Sequence, residues 1–243
     1  MKGIELDGEL WSLSFLGLDH PFFTITPETV IHTWIILLIL LVLVLPMRWL
    51  IKKTLAPRFL ALYFFETFAD MCTQTLGFFS FNHISFVTAI FIFIVLCNCI
   101  SVIPWLEEPT KDLNTTLALG IITFIYTQYY AIKAQGVWLY TKEYFSPFFL
   151  MFPLHVLGKL ATVISISFRL FGNIFGGHII SSLYHSALQS SIIAQLLGLL
   201  SGTNLIIMFF FGIFEGGLQA FVFCMLTLTY LSIAIHTEPG EVK

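Results

Sequence analysis

Residues 153–182 read PLHVLGKLATVISISFRLFGNIFGGHIISS, and the fold turns on how this stretch is read. From Leu160 to Ile180 it is apolar enough and long enough to cross a bilayer, yet Arg169 sits near its middle, followed by Asn173 and His178. An intramembrane arginine costs about 2.5–3.5 kcal/mol on insertion scales, so it needs a partner or a water-filled surround. On a helix turning roughly 100° per residue, Arg169, Asn173 and Gly176 share one face, whereas His178 lies about 180° from Arg169. One helix therefore offers different chemistry to two neighbours.

The rest of the chain has the composition of a membrane protein: 58% hydrophobic residues, 10% charged and a mean hydropathy of +0.92. A formal charge of −3 leaves no nucleic-acid footprint. Cys72, Cys97, Cys99 and Cys224 sit in apolar surroundings without metal-ligand or disulfide spacing, and read as packing residues. No cofactor-binding pattern, nucleotide-binding loop or nucleophile–base arrangement is present, so the chain by itself is expected to hydrolyse nothing. A cleavable signal peptide is not expected either, because the first apolar span begins near Val30 behind an acidic segment.

Residues 1–29 carry Glu5, Asp7, Glu9, Asp19 and Glu28 against Lys2 alone, and read as a surface segment with a short amphipathic piece at Leu10–Leu18. Residues 30–243 read as a single membrane domain. Its first span, 30–50, is followed by Arg48, Lys52, Lys53 and Arg58, which puts that end on the cytoplasmic (N) side and the amino terminus on the opposite (P) side. Leu60–Phe81 includes Glu66, Asp70, Thr73 and Gln74 and suits an interfacial helix. Spans are expected at 84–103 and 115–132, with Asn98 and Ser101 near the P-side end of the first and Tyr126 and Tyr130 on one face of the second. Lys133 and Lys142 then restore positive charge on the N side.

Two long stretches remain, 155–187 and 191–235. The second would measure roughly 65 Å as one helix, about twice a bilayer core, so it must tilt, bend or split, with Ser201–Asn204 the natural break. On the first, His178, Ser181, Ser182 and His185 form a stripe within about 60° of the His178 direction; on the second, Ser201, Asn204, Glu215 and Gln219 cluster within about 40° of the Glu215 direction. With the helices antiparallel, His178 and Glu215 can meet near mid-membrane. Gly172-x-x-x-Gly176 and Gly212-x-x-x-Gly216 give each helix a small-residue surface: the first is expected to receive an external helix, the second to pack within the chain. The bland alternatives are a static Arg169–Glu215 salt bridge and a satisfied core His178. His32, His83 and His155 read as interfacial.

The strings SFRLFGNIFGGH, FEGGLQAFVFCMLTLTYLSIAI and EEPTKDLNTTLALGI, in that family's order from about Ile84 to Ile235, resemble subunit a of the F-type ATP synthases. The resemblance implies an all-α polytopic membrane protein with about five crossings plus an interfacial helix, its two long tilted helices forming a hairpin against a ring of c subunits. It implies a non-catalytic, proton-translocating stator subunit whose two half-channels couple ion flow to rotation and ATP synthesis elsewhere in the complex. Its partners would be the c-subunit ring, the peripheral-stalk b subunits and the lipid bilayer, in a bacterial inner membrane or an organellar one. Arg169 would face the c-ring carboxylate, Gln219 would steady it and Asn173 would line the interface. His178 and Glu215 would form the P-side relay, with Asn98, Ser101, His185 and Asn204 holding water. H⁺ or Na⁺ would be chosen largely by ligands on the c subunit. No cofactor or metal is implied.

Two departures from the family pattern stand out. Where many members carry Glu-x-x-Lys-Pro, this chain reads Lys159-Leu160-Ala161-Thr162-Val163, leaving His155 or Glu143 as substitutes for the N-side acid. Where many bacterial members have a glutamate nine residues after the arginine, this chain has His178, with Glu215 on the other helix. Two other classes fit less well. A secondary transporter would show an internal repeat, and a scaffold has no need of Arg169, His178 and Glu215 together.

Overall fold

A computed structural model describes residues 11–12, 24–25, 27–53, 55–100, 108–144, 152–189 and 202–236. A two-residue strand, β1 (Trp11–Ser12), pairs antiparallel with β2 (Thr24–Ile25), Trp11 opposite Ile25. The amphipathic piece expected at Leu10–Leu18 therefore has Trp11 and Ser12 in extended pairing, and its other residues lie outside the described ones. The other described elements are helical: α1 (Pro27–Lys53), α2 (Leu55–Leu76), α3 (Phe81–Cys99), a 3₁₀ turn at Pro109–Lys111, α4 (Leu113–Gln135), α5 (Val137–Tyr144) and α6 (Phe152–Gln189). The last helix runs in three registers, α7 (Thr203–Met208), a π-helical segment (Phe209–Glu215) and α8 (Gly216–His236).

Helix boundaries follow from local chemistry. Gly77, at φ 75°, turns the chain between α2 and α3 in a conformation that glycine adopts without steric cost. Asp112 caps α4 by accepting from the Asn114 backbone N–H at 3.0 Å. The same helix ends at Gly136, φ 82°, whose N–H reaches Ile132 O at 2.8 Å, with Lys133 in the last turn where a cation suits the helix dipole.

Among the described residues four helical stretches are long and apolar enough to cross a membrane: Thr29–Pro46, Phe81–Cys99, Phe152–Leu188 and Leu205–His236. α4 is more polar on average, but its polarity points inward. Thr116, Thr123 and Thr127 are buried, and the latter two donate to Leu119 O and Thr123 O at 2.8 and 2.9 Å, while Ile121, Ile122, Ile125 and Tyr129 face out. Small and polar inside with branched aliphatic outside is the pattern of a helix whose solvent is lipid. α1 shows the same preference in extreme form, exposing Leu37, Leu38 and Leu41–Leu45 while Ile36 is buried. An apolar surface this continuous belongs in a bilayer, and the chain is an all-α polytopic membrane protein.

The core lies between α3 and α8, with α2, α4 and α6 around them: Ile84, Val87, Ile90 and Ile94 meet Ala220, Phe223, Cys224, Leu228 and Leu231. Ser232 Oγ donates to Thr75 O at 2.8 Å and fastens α8 to the end of α2. α6, 38 residues and about 57 Å long, greatly exceeds a hydrocarbon core of about 30 Å. The span expected at 191–235 is helical from Thr203, behind Gly202 in the left-handed region at φ 66°. Residues 190–201 are outside the described ones.

Candidate functional site

α6 divides along its length into an inner and an outer side. Val163, Ile166, Ser167, Leu170, Ile174 and Gly177 are buried. Arg169, Gly172, Asn173 and His178 are exposed, and Gly176 is half-buried. A side chain added at Gly172 or Gly176 would meet nothing within 4 Å, so this face is open for close approach from outside the chain. The inner side is tight. At Gly120 of α4 an added Cβ would collide with the Ser167 hydroxyl, and at Gly177 it would meet Phe211 Cδ1 at 2.9 Å.

Beside the open face, Asn173 Nδ2 donates to Gln219 Oε1 at 2.7 Å. Gln219 is buried in α8, so this amide pair joins the two long helices one turn from Arg169. Among the described residues no ion pair or hydrogen bond links Arg169 to Glu215, so the static salt bridge is absent. Nor does one link His178 to Glu215. Phe211, packed on Gly177, spaces the helices at that level, while His178 turns outward and Glu215 is half-buried. His185, also exposed, is tied by Nδ1 to Ser181 O at 3.0 Å.

The π-helical segment ends at Glu215. Its i→i+5 bonding turns the chain through less angle per residue than an α-helix, so residues before it fall out of the register assumed from sequence. Glu215 and Gln219 keep their relation, being four α-helical residues apart, but the alignment expected between Asn204 and Glu215 does not carry through. Asn204 lies in the first turn of α7, its side chain is outside the described residues, and so is Ser101.

Asn98 is committed at both ends. Its Nδ2 donates to Gly216 O at 3.1 Å and its Oδ1 accepts from Thr110 Oγ1 at 2.8 Å, joining α3, α8 and the 3₁₀ turn. A Cβ on Gly216 would lie 2.5 Å from that of Asn98, so the second small-residue pair packs inside the chain as its sequence implied.

The sequence pattern that defines the family "ATP synthase A chain" matches residues 30–232. The chain belongs to the ATP synthase subunit a family. It is 32% identical to ATP synthase subunit a of Moorella thermoacetica, covering 86% of this chain and 91% of the relative. Identity to the subunit a of Desulforamulus reducens is 30%, over 94% and 89%. To the protein of Propionigenium modestum named ATP synthase subunit a, sodium ion specific, it is 31%, over 85% and 73%. Subunit a is a non-catalytic ion-channel subunit of its complex, the catalytic sites lying in other subunits.

Two polar clusters of this chain were not anticipated. His83, expected at an interface, is buried: its Nδ1 lies 2.9 Å from Tyr126 Oη, and its ring stands edge-on to Tyr130 at 4.4 Å. An imidazole can satisfy one polar atom on a tyrosine and bury the rest of its ring, and nothing in the local sequence around residue 83 announces a partner on α4. Lys159 likewise turns inward. Its Nζ donates to Gln128 Oε1 at 3.3 Å and Tyr140 Oη at 3.4 Å, and lies 4.7 and 4.4 Å from the Tyr140 and Tyr144 ring centroids. Lys159 thus does not occupy the Arg169 face. His155 is exposed, 6.4 Å centroid to centroid from Tyr144, and the Glu143 side chain is outside the described residues.

Proposed function

We propose that this subunit a carries protons through two half-channels past a ring of c subunits, with Arg169 facing the ring carboxylate. The observation that carries this reading is the outer face of α6, where a guanidinium without a partner among the described residues stands beside two glycines open to a neighbouring helix. A guanidinium stays charged at any working pH, so it favours the ionised carboxylate without carrying the proton itself. It also bars direct hopping between the half-channels.

Gln219 and Asn173, bonded to each other, steady the helix pair at the level of the arginine. His178 and Glu215 load the next carboxylate from the P side through intervening water, with His185, Ser101 and Asn204 as further water-holding groups. Asn98 fixes the wall of that path. Topology in this reading has five crossings, with the amino terminus on the P side and the carboxyl terminus on the N side. The ring and the peripheral-stalk b subunits are its neighbours, and the bacterial sources of the relatives support a bacterial inner membrane. Because one relative is named sodium ion specific, the assay is run with and without Na⁺.

The test is Arg169→Ala in the assembled complex reconstituted into vesicles. ATP synthesis under an imposed gradient is expected to vanish while passive proton leak rises. Wild-type synthesis in a fully assembled complex would reduce Arg169 to a structural role.

A further inference from the structure

α4, α5, α6 and α8 line a partly open cavity of about 150 Å³ that neither the arginine face nor the relay uses. Along α4 it is lined from Gly120 to Gln135, a run of about 22 Å, comparable with one leaflet's share of about 15 Å of hydrocarbon plus the headgroup region. It reaches from the middle of the bundle to the end where α4 stops and α6 begins. Its threonine hydroxyls are already spent: Thr123, Thr127 and Thr162 donate to the carbonyls of Leu119, Thr123 and Gly158 at 2.8, 2.9 and 3.1 Å. What they turn toward a ligand is largely methyl, beside Val163 and Ile166.

At one end stands Lys159. Gln128 and Tyr140 take two of its three N–H bonds, and two tyrosine rings hold the ammonium in place without discharging it. A proton wire would need free donors along the walls, and the threonines supply none. An apolar slot one leaflet deep with a single cation at the headgroup end calls for an anionic amphiphile. We propose that this cavity seats one acyl chain of an anionic phospholipid from the leaflet at the α4–α5 turn, with its phosphate on Lys159.

The assembled complex would be reconstituted into vesicles of phosphatidylcholine containing a minor fraction of diazirine-labelled phosphatidylglycerol or, in a parallel arm, diazirine-labelled phosphatidylcholine. After irradiation, labelled peptides are mapped by mass spectrometry. Phosphatidylglycerol should label the cavity-facing parts of α4 and α6 about fivefold more than phosphatidylcholine, the equivalent of about 1 kcal/mol for one lysine at a membrane surface. Lys159→Gln should bring the two lipids level, and Lys159→Arg should keep the difference. Ala131→Phe fills the slot, since Ala131 is buried on its wall, and should remove cavity labelling with Lys159 intact. If Lys159→Gln does not assemble, the wild-type ratio together with Lys159→Arg and Ala131→Phe still decides. Equal labelling by the two lipids in the wild type overturns the proposal, as does labelling unchanged by Ala131→Phe. Loss of the phosphatidylglycerol signal on adding millimolar inorganic phosphate would assign Lys159 to a free anion and overturn it too.

Discussion

α6 carries two cations, and the fold treats them in opposite ways. Lys159 is taken inside and matched by the chain's own Gln128, Tyr140 and Tyr144. Arg169, almost three turns further on, is left on the outer face with Gly172 and Asn173, without an intrachain partner among the described residues. A membrane helix cannot leave a guanidinium facing hydrocarbon cheaply. The cation that the described residues leave unsatisfied is the one we propose another subunit meets, and charge alone would not have told the two apart.

The largest effect should come from exchanging the two cation types. Arg169→Lys is expected to reduce ATP synthesis in the assembled, reconstituted complex to background, because a compact ammonium lacks the guanidinium fork and its pKa falls more readily on desolvation. Lys159→Arg, by contrast, should retain most of it. Equal loss in both would erase the distinction between the faces.

Next in size is the relay. His178→Ala or Glu215→Ala should slow proton translocation strongly, read as the rate of acidification of vesicles under an imposed potential. The exchange His178→Glu with Glu215→His should restore part of it. Since no direct bond joins the pair, recovery would point to water between them. Normal pumping in either alanine variant would remove both from the path.

The two glycine pairs separate folding from function. Gly216→Val drives a side chain into Asn98 and should destabilise the subunit by about 1–3 kcal/mol, as overpacking does, visible as a lower melting temperature of the solubilised complex. At Gly172 an added Cβ meets nothing within 4 Å, so Gly172→Val should leave that temperature unchanged while impairing ring-coupled proton flow. A melting temperature lowered equally by both would put the arginine face inside the subunit.

The smallest effect belongs to the amide pair. Asn173→Ala or Gln219→Ala removes one hydrogen bond of about 0.5–1.5 kcal/mol and should lower coupled synthesis roughly two- to tenfold. The double variant should cost little more than either single one, and a fully multiplicative loss would mean the two amides act separately.

Much of this was written in the order of the residues. Length and apolarity marked the crossing helices, because a bilayer demands long runs whose backbone is satisfied within the segment. Arg169 stood out for the same reason, as a charge in such a run has no cheap explanation, and the helical period put Asn173 and Gly176 beside it. The polar face of α4 was harder to place, since its threonines hide their hydroxyls on their own backbone and leave aliphatics outside.

What no helical count could supply were the contacts between helices. Asn98 holds Gly216, residues 118 apart in the chain, and His83 finds Tyr126 across 43. The direction taken by Lys159 depends on where α5 brings its tyrosines. The π-helical segment before Glu215 defeats extrapolation for a simpler reason, because every angle projected across it assumed 100° per residue. The chain's period and polarity are local properties and were legible in the sequence. Which face meets which neighbour is a property of packing, and depended on side chains far apart in the chain arriving at the same place.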